Sequence, residues 1–305
     1  MPEKGGPEPV FRRLTLIGAG LIGSSFARAV RTHGGMADEV VVTDFSATVL
    51  DRVHALGFAD RIEPDVTRAV MGADAVMLCA PVGAYAGITA AIAPHLKPGA
   101  VITDVGSTKV SVIRDMTPLL PPGVHLVPAH PMAGTEYSGP DSGFATLFEG
   151  RWCLVVPPPG TDPGAIELLS ELWRRAGSEV EQMDPEHHDR VVAIVSHLPH
   201  LIAFTICGTA DDLAQEGGAD ASRAEVLKFA AAGFRDFTRI AASDPVMWRD
   251  IFLNNRDALL EMLARFTEDS QAMARAVRWG DGAYIEDRIN RGRAIRRGLI
   301  ELHQA

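Results

Sequence analysis

The rhythm of apolar and polar positions along this chain changes near residue 184. Before it, short β-rich apolar runs alternate with helical patterns. Candidate strands are 13–17, 39–44, 74–80, 100–105, 125–130 and 151–157, with a late one at 178–183. That alternation predicts an α/β domain built on a Rossmann-type, doubly wound, mostly parallel sheet. A Pro/Gly stretch at 157–164 reads as a surface loop ahead of a helix at 165–176. Beyond it, helices are expected at 185–215, 221–231, 235–242, 245–268 and 281–302. Asp184-Pro185 and Asp244-Pro245 each supply an N-cap and a proline suited to the first helical position. The expected division is 1–184 for the sheet domain and 185–305 for an all-α domain.

The stretch 246–266 is apolar on more than one face, with Val246, Trp248, Ile251, Phe252, Leu253, Leu259, Leu260, Met262, Leu263 and Phe266. A helix apolar nearly all round must be buried, and a small helical domain buries it most readily against a second copy. A homodimer is therefore expected.

Composition narrows the partners. The 305 residues carry a formal charge of −10, which argues against nucleic acid, whose phosphates call for basic patches. The N-terminal Met1–Pro9 is polar and has no apolar core of a signal peptide. No unbroken apolar run approaches the ~18 residues of a membrane span, so no membrane partner is expected. Cys79, Cys153 and Cys207 stand alone without CxxC spacing, as reduced thiols of a cytoplasmic protein would.

The first strand runs into Gly18-Ala-Gly20-Leu21-Ile22-Gly23 and then a helix. Alone, such a motif is weak. Here Asp44 follows 21 residues after Gly23, at the end of a second strand. Gly18 permits the tight turn, Gly20 lets backbone approach a pyrophosphate, and Gly23 permits close helix–strand packing. The phosphates would rest on the helix N-terminus, at the amides around Leu21 and Ile22. Asp44 suits a ribose hydroxyl and repels a 2′-phosphate, and Phe45-Ser46-Ala47 offers no arginine. NAD is expected over NADP. Simple capping of the next turn is the plain alternative for Asp44.

A histidine, His130, is expected at the end of a later strand of the same sheet, where ligands sit in open α/β folds. That arrangement suggests a dehydrogenase. Further on, His197 and His200 share a helix face, and Pro199 between them predicts a local kink. His187 and His188 are close in sequence, but with no HExxH and no thiolate no metal is expected.

In chain order, the glycine motif, Asp104-Val-Gly-Ser107-Thr-Lys109, His130-Pro-Met-Ala-Gly-Thr135-Glu136, Ser196-His197-Leu-Pro-His200, Phe234-Arg-Asp-Phe-Thr-Arg239 and Ser243-Asp-Pro-Val-Met-Trp248 stand together. They resemble the prephenate/arogenate dehydrogenase family of tyrosine biosynthesis, over nearly the whole chain. The resemblance implies NAD-dependent oxidative decarboxylation of a cyclohexadienyl substrate. It implies His130 as the catalytic histidine. Ser107 would bond the same substrate hydroxyl or fix the imidazole. His200, His197 and Arg239 would bind substrate, Arg239 through a carboxylate, and Thr135 and Glu136 would shape the pocket. An i,i+4 surface pairing is the plain alternative for Arg239. A β-hydroxyacid dehydrogenase is disfavoured, because Lys228 is the one lysine after Lys109 and has no asparagine close behind it. A non-catalytic NAD-sensing protein would not require His130, Ser107 and Arg239 together. The choice between prephenate and arogenate stays open.

Overall fold

The structure is a computed structural model and describes residues 8–135, 137–216, 225 and 228–301. Six parallel strands form the main sheet, β1 (Phe11–Ile17), β2 (Ala37–Thr43), β3 (Arg61–Ile62), β4 (Ala75–Leu78), β5 (Val101–Asp104) and β6 (His125–Leu126). Their order is β3-β2-β1-β4-β5-β6. The direction of winding reverses between β1 and β4, and the carboxyl ends of strands at such a switch point form the ligand crevice of these folds.

Both faces of the sheet are covered, as parallel sheets require. On one face Leu14 and Leu16 of β1 join Val40, Val42, Phe26 and Trp173 in a buried cluster. On the other, Ile17 packs in a cluster with Val76, Leu78, Ile102 and Tyr85. Phe26 and Trp173 meet edge to face at 4.7 Å, a favoured aromatic geometry.

The expected strand 125–130 is two strands. Pro128 lacks the amide that would continue the ladder, and the chain crosses from β6 to β7 (Ala129–Pro131) at that point. β7 pairs antiparallel with β8 (Trp152–Val155), which pairs parallel with β9 (Glu179–Gln182). His130 therefore lies in a separate three-stranded sheet, not at the end of a strand of the main one. The two-residue β3 was not anticipated either.

After β9 the chain is helical. Asp184 accepts from His187 N at 3.0 Å and Asp244 from Met247 N at 2.8 Å, so both Asp-Pro pairs open helices. The first helical stretch runs Pro185–Val192, a π-helical turn Ala193–His197, and Leu198–Glu216. The wide turn sits directly before Pro199, as a missing amide dictates. Pro185–Gln215 is also long and apolar enough, by length and composition alone, to cross a membrane. A search for an unbroken apolar run misses it. Yet it carries buried His188, Asp189 and His197, with polar contacts described below.

The expected helix 221–231 falls largely outside the described residues. Ala232–Thr238 is helical and Arg239–Ala242 forms a 3-10 turn. The expected 245–268 helix breaks at Asn255 into Pro245–Asn254 and Arg256–Trp279, with Asn255 at φ −112°, ψ 34°. No proline or glycine marks that break. By contacts the chain forms two compact units, Met1–Arg256 and Asp257–Ala305. In the second, Gly280 at φ 68° separates Arg256–Trp279 from Gly282–Glu301, and Arg288 pairs with Asp269 at 2.8 Å.

Candidate active site

The glycine-rich turn has the shape the sequence asks for. Gly18 adopts φ +103°, and a Cβ there would lie 2.8 Å from the Cys79 backbone. A Cβ at Gly23 would lie 2.1 Å from the Gly18 carbonyl oxygen, so strand and helix could not approach. Gly20 differs, because a Cβ there meets nothing within 4 Å. Packing within the chain does not call for glycine at that position, whereas close passage of a pyrophosphate does. Leu21 opens the helix Leu21–His33 with no side-chain cap. Its first-turn amides, including that of Ile22, are the kind of donors an anion takes up. Half-buried Asp44 accepts from Ala19 N and Ser46 N, each at 2.9 Å. It is thereby fixed at the lip of the turn. The residues present fit a dinucleotide.

The loop after β7 returns over this helix. Phe144 N donates to Ser25 Oγ at 3.1 Å, and Arg28 donates to the Pro140 carbonyl at 3.0 Å. Between those two contacts, Asp141 of the loop takes a bidentate pair from Arg52 of the helix Ala47–Leu56. The segment following His130 is thus tied to the helices that flank the glycine turn.

His130 is buried in β7, with Nδ1 2.9 Å from His188 Nε2. His188 Nδ1 is in turn 2.8 Å from Asp189 Oδ1. A carboxylate can only accept, so neutral His188 carries its proton on Nδ1 and accepts at Nε2. His130 must then donate from Nδ1, which leaves its Nε2 lone pair as the basic site. Burial, then the neighbouring His188 and Lys109, hold the His130 imidazole well below the ordinary histidine range. His130 is neutral near pH 7, as a proton acceptor must be.

Buried lysine chemistry braces this chain from behind. Lys109 Nζ donates to Asp104 Oδ2 at 2.5 Å and to the Ala129 carbonyl, next to His130, at 2.8 Å. Its backbone N–H donates to Asp189 Oδ1 at 2.8 Å, and Val110 N to Oδ2 at 3.0 Å. Burial pushes Asp104 up and Lys109 down, and their mutual attraction opposes both shifts. A buried ion pair of this kind is weak support for stability, but it fixes geometry on both sides of His130.

On the helical side, His197 is fully buried and its Nδ1 lies 3.0 Å from Asn255 Nδ2. Burial takes its imidazole down to about 4. Half-buried His200 donates its Nδ1–H to the Ser196 carbonyl at 2.9 Å, since a carbonyl only accepts. Its ring stacks on Trp248 at 3.7 Å. Burial lowers the His200 imidazole, and the nearby positive charge of Arg239 adds to that. Arg239 itself is exposed.

Ser107 is half-buried in the loop before Val110–Met116, its backbone beside His197. His188 holds the His130 imidazole at its Nδ1 side. Thr135 is exposed, with Oγ1 accepting from Tyr137 N at 3.3 Å. Glu136 lies outside the described residues. The structure thus brings His130, Ser107, His197, His200 and the charge of Arg239 into one connected set, and leaves Thr135 apart from its hydrogen bonds.

Two family descriptions match the chain. "Prephenate dehydrogenase, nucleotide-binding domain" covers residues 26–182, and "Prephenate dehydrogenase, dimerization domain" covers 184–290. The chain belongs to the prephenate dehydrogenase family. It is 40% identical to the cyclohexadienyl dehydrogenase of Zymomonas mobilis, over 96% of this chain and 98% of that one. It is 35% identical to the prephenate dehydrogenase of Bacillus subtilis, over 84% of this chain and 66% of that one. The prephenate dehydrogenase of Aquifex aeolicus, solved with hydroxyphenyl propionate and NAD+, superposes with a TM-score of 0.85 at 30% identity, covering 98% of this chain and 100% of that one.

Four members of the site escape sequence reasoning as functional residues. They are His188, Asp189, Lys109 and Asn255. Lys109 ends the Asp104–Lys109 motif, and His188 stands near His197 in sequence. Nothing in their spacing says that they touch His130 across 58 residues or Asp189 across 80.

Proposed function

We propose that this chain is an NAD-dependent dehydrogenase that oxidatively decarboxylates prephenate, arogenate or both, in tyrosine biosynthesis. The observation that carries the reading is a buried, neutral His130 whose Nδ1 is committed to His188, leaving Nε2 to take a proton. Family membership and the NAD+ and hydroxyphenyl propionate bound by the Aquifex relative support it.

His130 Nε2 takes the proton of the substrate ring hydroxyl as C4 gives up its hydride. Bound NAD supplies the hydride acceptor. The ring carboxylate leaves as CO₂, its bonding pair completes an aromatic ring, and the proton on His130 Nε2 returns to the phenolate oxygen. Gly18, Gly20 and Gly23 with Leu21 and Ile22 hold the pyrophosphate, and Asp44 holds the adenosine ribose. Ser107 orients the reacting hydroxyl, His200, His197 and Arg239 bind the rest of the substrate, and Thr135 and Glu136 would shape the pocket. The 1–184 and 185–305 division assigns the cofactor to the first part and most substrate contacts to the second.

The second partner is another copy of this chain. Within the stretch matching the dimerization domain, Leu253 is 65% and Trp279 80% exposed, apolar area that a homodimer would cover. Light scattering at micromolar concentration is expected to give twice the chain mass; a stable monomer contradicts it. A cytoplasmic location agrees with three free cysteines. Measuring kcat/KM for prephenate and arogenate, each with NAD and NADP, tests the assignment. Turnover of neither substrate overturns it.

A further inference from the structure

Asn255 interrupts two helices without a proline or glycine, is buried, and spends its side chain on two sites far away in sequence. Its Nδ2 lies 2.8 Å from the Asp189 carbonyl oxygen. A carbonyl only accepts, so the amide nitrogen must be the atom placed there, whichever way an amide is first drawn. That same nitrogen lies 3.0 Å from His197 Nδ1. An NH₂ group has two hydrogens and no lone pair to offer, so His197 Nδ1 is the acceptor. The proton of the neutral ring is therefore on Nε2.

His197 Nε2 is fully buried and meets no acceptor at full hydrogen-bond geometry among the described residues, the Ser107 backbone approaching it only loosely. A buried donor without a well-placed acceptor costs up to about 1–3 kcal/mol, which an oxygen of a bound ligand would recover. The ring adjoins the Ser107 backbone and is close enough to His200 for their charges to interact. Ser107 and His200 both belong to the proposed substrate site.

We propose that Asn255 is a positioning residue that locks His197 as its Nε2–H tautomer, presenting that buried N–H as a hydrogen-bond donor to an oxygen of the bound substrate. The donor half rests on the substrate site proposed above; the tautomer half does not. Asn255 also clips His197 to Asp189, the residue that orients His188 and through it His130. One amide thus couples the substrate-binding helix to the proton-accepting chain.

Nitrogen-15 NMR of the imidazoles of the full-length free protein at pH 7 tests the tautomer, with His197 assigned by difference from His197→Gln. The expected wild-type signal is a neutral ring protonated at Nε2; a ring protonated at Nδ1 overturns the proposal without any variant. In Asn255→Asp the carboxylate accepts from Nδ1, so the proton should move there. KM for prephenate should then rise about tenfold or more, with the affinity for NAD within a few-fold. Should that variant not fold, Asn255→Ala replaces it. Its spectrum should mix both tautomers and its KM should rise less. A shifted tautomer with native KM removes the donor role, while the wild-type spectrum still decides the lock. Failure of every substrate in the wild-type enzyme instead sinks the functional assignment and leaves the tautomer result standing.

Discussion

His130 Nδ1 and His188 Nε2 lie 2.9 Å apart, and the contact joins a strand of the small sheet to the first helix after it. Through it, Asp189 dictates the tautomer of a residue it does not touch. The logic parallels that of an aspartate holding a histidine base in the correct tautomer in hydrolase triads.

Replacing His188 with glutamine should therefore impair chemistry more than binding. A glutamine amide can either donate or accept, so the His130 tautomer is no longer dictated. Loss of a correct tautomer costs up to about 10⁴ in rate. For His188→Gln, kcat is expected to fall at least about tenfold while the KM values for NAD and substrate stay within a few-fold. Native kcat would remove His188 from the chain.

Asp44 is expected to set cofactor choice. Its carboxylate is fixed by Ala19 N and Ser46 N, so it cannot swing away from a 2′-phosphate without losing both bonds. Asp44→Ala is expected to relax discrimination against NADP in kcat/KM. A wild-type enzyme that uses NADP at least as well as NAD contradicts the assignment.

Arg239 is expected to anchor a substrate carboxylate. With a net charge of −10, long-range attraction works against a dianionic substrate, so a local cation must compensate. Truncating one partner of a desolvated charge pair costs about 2–5 kcal/mol, at least about thirty-fold in affinity. Arg239→Gln should raise KM for the cyclohexadienyl substrate by that order and leave the affinity for NAD within a few-fold. The melting temperature should hardly move. A large loss of thermal stability would assign Arg239 to holding its helices instead.

The cofactor half of the site was legible in the sequence because its determinants are local. Gly18, Gly20, Gly23 and Asp44 each answer a backbone or charge requirement set within one strand–helix–strand unit, from β1 to the end of β2. His130 was legible as a residue but misplaced as to sheet, since the whole consequence of Pro128 is a change of strand partner. The chain behind His130 was not legible. His188 and Asp189 are neighbours in sequence, but they meet His130, Lys109 and Asn255 only through tertiary packing. Asn255 breaks a helix by spending its side chain elsewhere, which propensity does not register. The turn before Pro199 was legible for the opposite reason, as a missing amide acts on its own helix.

Direct comparison of wild type and His130→Asn, by NADH appearance and CO₂ release with prephenate or arogenate, bears on the central claim most closely. Wild type should form the two products in equal amounts. Its kcat/KM should fall on the acid side only below the ordinary histidine range, since burial keeps His130 neutral as the pH drops towards its depressed pKa. Loss of a general base costs about 10²–10⁴ in rate, so His130→Asn should lose kcat on that scale, keep its affinity for NAD, and lose the acidic limb. An asparagine enzyme with near-native kcat, or a wild type that reduces NAD with neither substrate, would contradict the account.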